Sequence, residues 1–212
     1  DMLDSDCFGG VGGGIGEAAE FPGATYNIYN TTISGNTATN YGAGIHVVSG
    51  STMNLNSVTV TENISQGLAG GIYSESSATV RLRNTIVAGN TAVSGSTDCY
   101  GPLTSKGNNL IGDQDGCTVS DQDSDLIGDS GDDDVGVLDA KLKSLSSIGG
   151  NTLTHGLEQD SPAIDKGKNT GCTDGSAVLT YDQTGIDSRA MDGDFDDTAT
   201  CDIGATEFDP AD

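Results

Sequence analysis

The densest group of metal-ligating side chains in this sequence is Asp192-Gly-Asp194-Phe-Asp196-Asp197, placed shortly before Cys201-Asp202. Carboxylates at i, i+2 and i+4 around a glycine can converge on one hard cation, as in loop calcium sites. No glutamate follows at the twelfth loop position, so the run is not an EF-hand. Asp121-Gln-Asp123-Ser-Asp125 is a weaker run of the same kind, and a solvated acidic turn is the competing reading of both. Asp132, Asp133 and Asp134 are consecutive, cannot easily share one ion and read as an exposed loop. Calcium is the cofactor these residues point to.

Catalytic groupings are sparse. A polysaccharide lyase needs a base to abstract a proton and cations to neutralise a uronate. The basic candidates are Arg81 and Arg83 on one outward face, His46 a coil earlier, and scattered lysines. A hydrolase needs two carboxylates at a defined separation, and the outward faces of the clear repeats supply Glu62 and Glu75. Asp165, Asp182 and Asp202 read as turn aspartates that accept backbone N–H groups, with Arg189 the charge partner of one of them. His155 reads as a satisfied packing residue. No catalytic residue is expected, and the protein is read as a non-enzyme.

The elements that must position these groups follow from a 27-residue echo. Asn30-Thr-Thr-Ile-Ser-Gly-Asn36, Ser57-Val-Thr-Val-Thr-Glu-Asn63 and Asn84-Thr-Ile-Val-Ala-Gly-Asn90 are equivalent phrases, and Gly44-Ile45 maps onto Gly71-Ile72. A fixed period of this length means stacked supersecondary units that bury a shared core. Met53 and Leu55, then Val58 and Val60, alternate at period two, with Asn56-Ser57 as a corner. No apolar stripe of period 3.6 appears, so helical repeats are disfavoured. The expected fold is an all-β parallel β-helix whose asparagines stack as a corner ladder in αL conformation.

Residues 1–25 read as an irregular glycine-rich coil and 26–148 as the β-helix. Residues 149–212 read as an irregular, disulfide-bonded C-terminal cap over the last coil. Short strands are expected at Leu110-Ile111 and Leu126-Ile127, and the one helical turn within 138–148. Thr59 and Thr61 resemble a flat ice-binding face without repeating in every coil. Asn30-Thr-Thr32 and Asn63-Ile-Ser65 match glycosylation sequons, a common chance match.

Composition narrows the function. Eight basic against 32 acidic residues leave a net charge of −24, which repels nucleic acid and anionic membranes. No apolar run is long enough for a membrane span. The five cysteines form no CxxC pair, which argues against zinc or thioredoxin-like chemistry. Cys99 with Cys117 and Cys172 with Cys201 read as two local disulfides, although four cysteines allow three connectivities. Such bridges imply an oxidising, extracellular setting. Cys7 is left as a buried thiol, a partner to a missing upstream segment, or an intermolecular link. The chain starts at Asp1 without methionine, which is expected of a processed form or a piece of a longer protein.

Five motifs occur in order in the C-terminal half. They are Gly107-Asn-Asn-Leu-Ile-Gly112, Gly149-Gly-Asn-Thr-Leu-Thr-His155, Ser161-Pro-Ala-Ile-Asp165-Lys-Gly167, Thr180-Tyr-Asp-Gln-Thr-Gly185 and Cys201-Asp-Ile-Gly-Ala-Thr-Glu207. Together they closely resemble the choice-of-anchor Q domain of bacterial and archaeal surface proteins. The preceding coils resemble polymorphic-outer-membrane-protein-like repeats. The resemblance implies a right-handed parallel β-helix in a secreted or cell-surface, adhesin-like protein. The expected function is a non-enzymatic extracellular structural or adhesive role. The expected partners are the protein itself, by head-to-tail or lateral self-association that could build a filament, or a surface or matrix polysaccharide. The alternative is a polysaccharide-binding or polysaccharide-cleaving protein.

Overall fold

Short β-branched strands separated by left-handed corners stack here into a parallel solenoid. The computed structural model describes residues 12–16, 23–172, 177–186 and 188–210; Cys7 and most of the glycine-rich start lie outside them. The first described turn holds β1 (Ile15–Gly16), β2 (Thr25–Ser34) and β3 (Thr37–Ala38). The second holds β4 (Ile45–Val47), β5 (Thr52–Thr61) and β6 (Ile64–Ser65). The third holds β7 (Ile72–Ser74), β8 (Thr79–Arg83), β9 (Ile86–Val87) and β10 (Thr91–Ala92). Then come β11 (Cys99–Ser105), β12 (Leu110–Ile111), β13 (Cys117–Ser120) and β14 (Leu126–Ile127).

All pairings between these strands are parallel, and equivalent residues lie directly over one another. That register produces inward rows such as Ile45–Ile72–Cys99, Ile28–Leu55–Leu82 and Ile33–Val60–Val87–Ile111–Ile127. Most of these side chains are buried and form one continuous core. The repeat then shortens. Equivalent bonds span 27 residues from Asn63 to Asn90, 24 from Thr85 to Asn109 and 16 from Asn109 to Asp125.

Three columns of positive φ turn the corners at the same 27-residue spacing: Asn30, Ser57 and Asn84; Gly35, Glu62 and Gly89; Gly42, Ala69 and Ser96. The αL residue at the ladder corner is therefore the one before each asparagine, not the asparagine itself. Asn36, Asn63 and Asn90 do form the expected ladder. The backbone N–H and side-chain amide of Asn36 both donate to Asn63 Oδ1, and those of Asn63 both donate to Asn90 Oδ1, at 2.9–3.1 Å. The glycine of each Gly-Ile phrase makes room for it. A Cβ on Gly44 would lie 3.0 Å from Asn63 Nδ2, and one on Gly71 2.9 Å from Asn90 Nδ2. Asn63 is fully buried, so the sequon it begins is closed to modification in the folded chain.

The C-terminal segment does more than follow the last coil. Asn30 Nδ2 donates to Tyr181 O, Thr32 Oγ1 to Gln183 Oε1, and Ala205 N–H to Thr59 Oγ1. Asn108 Nδ2 donates to Lys166 O. The segment is thus a clasp laid along one flank of every coil. Under it a second apolar cluster joins Ile86, Ala88 and Leu110 to Ala140, Leu157, Ala163, Ile164 and Ile203. The helical turn expected within 138–148 is replaced by antiparallel bridges from Leu142 to Leu157 and from Ser146 to Thr154. Lys141 there has φ 50°, which a helix cannot contain. Among the described residues the helical turn is a 3-10 turn at Asn169–Gly171.

Candidate functional site

The expected calcium run is drawn together only in part. Carboxylate oxygens of Asp192, Asp194 and Asp165 lie within 4.8 Å of one another. Asp196 and Asp197 instead point their backbone N–H groups at the two Asp192 oxygens, both at 3.1 Å. Asp165 Oδ2 accepts N–H from Gly193 and Asp194 at 2.9 and 2.7 Å, and Lys166 Nζ stands 3.7 Å from Asp194. Burial, with Asp194 and Asp192 nearby, raises the Asp165 pKa above its usual value against the pull of those N–H bonds.

The second run separates. Asp121 and Asp123 are exposed, whereas Asp125 ends another asparagine ladder: its Oδ1 accepts the backbone and side-chain N–H groups of Asn109. Asp98 plays the same part for Asn90, with both bonds at 2.9 Å. The signal for these terminators was in the sequence. An aspartate replaces the next asparagine of the column, but at spacings that the 27-residue period does not reach.

The turn aspartates sit where expected, bonded to backbone amides. Asp182 accepts N–H from Thr184 and Glu207, and Asp202 from Asp165 and Phe208. Arg189, however, pairs with Glu207 and with the Gly204 carbonyl. Burial pushes both the Asp202 and Glu207 carboxyls up; the Glu207 charge adds to the rise of Asp202 and the Asp182 charge to that of Glu207, although Arg189 pulls Glu207 back. His155 is buried: Nδ1 donates to the Lys143 carbonyl at 2.8 Å, and Nε2 faces Ser34 Oγ at 2.7 Å. A carbonyl only accepts, so the proton belongs on Nδ1.

Among the described residues, two surface clefts lie outside the apolar patch under the clasp. On the sheet of β4, β7 and β11, Tyr73 is stacked between Tyr41 and Tyr100, with ring centroids 4.8 and 5.1 Å apart. His46 tilts against the same ring at 5.4 Å. The ladder arises because Tyr73 and Tyr100 hold one outward register position in successive coils. Glu75 stands beside it. Its Oε2 accepts the Ser49 N–H at 2.8 Å and its Oε1 lies 3.4 Å from His46 Nε2. Burial works to raise the Glu75 pKa, but the Ser49 bonds and His46 outweigh it and hold the carboxylate low. Tyr73 is raised by burial and by its neighbours Tyr100, Tyr41 and Glu75. The cleft between this ladder, Ser49, Pro102 and Thr118 has a volume of about 530 Å³. Tyr73 and Tyr100 stand one repeat apart, so that pair was open to sequence reading, whereas Tyr41 joins the ladder from off the period.

Both expected disulfides form, Cys99–Cys117 and Cys172–Cys201, with Cα atoms 5.6 and 6.8 Å apart. They fit an oxidising environment. Among the described residues no helix is long and apolar enough to cross a membrane. The molecule is a disulfide-braced parallel β-solenoid of about three regular turns with a lateral clasp. The chain matches no protein-family model, no curated protein and no solved structure.

Proposed function

We propose that this protein is a non-enzymatic, extracellular adhesive module that holds glycan against the open flank of its solenoid. The tyrosine ladder carries this reading. Tyr100 is an exposed ring fixed by strand register and stacking, and Tyr41 an exposed ring held by stacking on Tyr73, so they lose little freedom on binding. Aromatic rings take the apolar face of a sugar, while Glu75 and the serines beside them accept and donate to its hydroxyls. The disulfides support an extracellular location, and the surface-protein motifs agree with it.

Affinity electrophoresis of the intact protein through a panel of polysaccharides tests this. Retardation by at least one polymer is expected, lost in Tyr73→Ala and Tyr100→Ala variants whose melting temperature is unchanged. No retardation anywhere would overturn the reading, and release of new reducing ends would make the protein an enzyme. Calcium, held by Asp165, Asp192 and Asp194, would stiffen the clasp; its addition should raise the melting temperature of the parent chain and not of Asp194→Asn.

One observation favours self-association as a second reading. Among the described residues β2 pairs with β5 on one side only, and Tyr26, in an inward row, is still 39% exposed. An open, ten-residue edge is a template for another chain. A strict monomer in native mass measurements, with and without reductant, would sink that reading.

A further inference from the structure

The second open surface concentrates positive charge in a chain that has almost none to spare. Of the eight basic residues, Arg189 is buried against Glu207, Lys141 pairs with Asp160, and Lys166 lies near Asp194. Three others, Arg81, Arg83 and Lys106, line one groove of about 250 Å³ together with Asn27, Asn54 and Tyr29. Among the described residues no acidic one lines it, and none of the three cations has a carboxylate within ion-pair distance.

Strand register builds the groove. Arg81 and Arg83 are two apart on β8 and face the same way. Arg81 lies over Asn54, which lies over Asn27, and Arg83 lies over Asn56. Asn54 Nδ2 donates to Asn27 Oδ1 at 2.8 Å, and Arg81 Nη1 donates to Asn54 Oδ1 at 3.4 Å, so a chain of side chains orients the guanidinium. Among the described residues Arg83 Nε is buried with no hydrogen-bond partner. Lys106 enters from the next coil, its N–H bonded to Leu82 O at 2.7 Å.

We propose that this groove binds the anionic group of an acidic sugar, a carboxylate or a sulfate, with Arg81 and Arg83 as its forks and Lys106 as a flanking charge. Paired guanidinium groups fit the two oxygens of either anion, which a neutral sugar cannot use. Tyr29 and the asparagines supply a ring face and amides suited to the rest of the sugar. The net charge of −24 does not forbid this. Charges beyond about 8 Å are largely screened at physiological salt, so the local cations dominate.

The inference rests on the glycan reading above and narrows it to acidic polymers. Calorimetric titration of the intact protein with a uronic-acid trisaccharide, its methyl ester and a sulfated galactan trisaccharide tests it. The acid, the sulfate or both should bind, the ester should bind at least about tenfold more weakly, and added salt should weaken the anions alone. Arg81→Gln and Arg83→Gln should each cost the anion about tenfold without changing the melting temperature. Lys106→Gln, outside the solenoid core, is a second variant and should cost less. Equal binding of acid and ester overturns the anion groove and leaves the glycan reading standing. Failure of all three overturns the groove, and the neutral polymers and the tyrosine variants then decide the glycan reading separately.

Discussion

The two cores of this molecule solve the same problem with different chemistry. Inside the coils, aliphatic rows repeat every turn and exclude charge. Beneath the clasp, an apolar patch is bordered by Asp182, Asp202, Glu207, Arg189 and His155, all buried. One outward row passes from one regime to the other: Thr32–Thr59–Ile86–Leu110–Leu126. Its first two members hydrogen-bond the clasp and its last three bury apolar surface against it or beside it. The solenoid is held by what repeats, and the clasp by what interrupts the repeat.

Breaking each core should therefore have unequal reach. Arg189→Leu leaves the Glu207 carboxylate buried without its cation, which typically costs 3–5 kcal/mol. Hydrogen exchange should then open Ala205 and Glu207 while Val60 and Leu82 stay protected. Leu82→Ala, in the inner core, should cost about 2–5 kcal/mol and open both regions, because the clasp docks on Ile86 and Leu110 of the coils. If Arg189→Leu exposes the inner rows equally, the two cores are one cooperative unit and the contrast fails.

Acidity sharpens the contrast at the ladder's end. Burial raises Asp98 from its ordinary 3.8 to about 6, against the two Asn90 bonds that favour its ionised form. A carboxyl whose pKa is higher folded than unfolded binds more protons in the native state between those values. Its contribution is present below about pH 4 and lost as pH rises through about 6. The gap from 3.8 to about 6 corresponds to about 3 kcal/mol. Chemical denaturation should therefore find the protein more stable near pH 5 than near pH 8, the more so because Asp202 and Glu207 shift the same way. Asp98→Asn keeps an acceptor for Asn90 and removes the titration. It should stabilise the chain most at pH 8, by roughly half as much at pH 5, and leave it little changed below about pH 4. A parent protein equally stable at both would show that Asp98 ionises freely.

The inner core was legible because its signal is local and periodic. Met53, Leu55, Val58 and Val60 announce it within one coil, and the equivalent residues repeat it. The disulfides were legible from cysteines set close in the chain. The clasp was not. Thr32 meets Gln183 across 151 residues, and nothing near either marks the encounter. One clue was available: Ile86 stands where Thr32 and Thr59 stand in earlier coils, an outward apolar residue that demands a cover. Thr59 itself, which resembled part of a flat exposed face, is only 1% exposed under Ala205. The basic groove escaped notice as a site because Lys106 joins Arg81 and Arg83 only after the repeat has shortened.

Thr59→Val gives the finest test, since it changes one atom pair at the boundary between the two regimes. It removes the acceptor of the Ala205 N–H, which lies 3.0 Å away and is buried. Leaving such a donor unpaired costs about 1–3 kcal/mol. The new methyl group also extends the apolar row of Ile86 and Leu110 by one coil, which offsets part of that loss, about 0.8 kcal/mol for each buried carbon. A net destabilisation near 1 kcal/mol is expected, with faster exchange confined to Ala205 and its neighbours. A loss above about 3 kcal/mol would mean that the hydroxyl anchors the whole clasp. No loss would mean that the clasp is held by its apolar patch and buried ion pair alone.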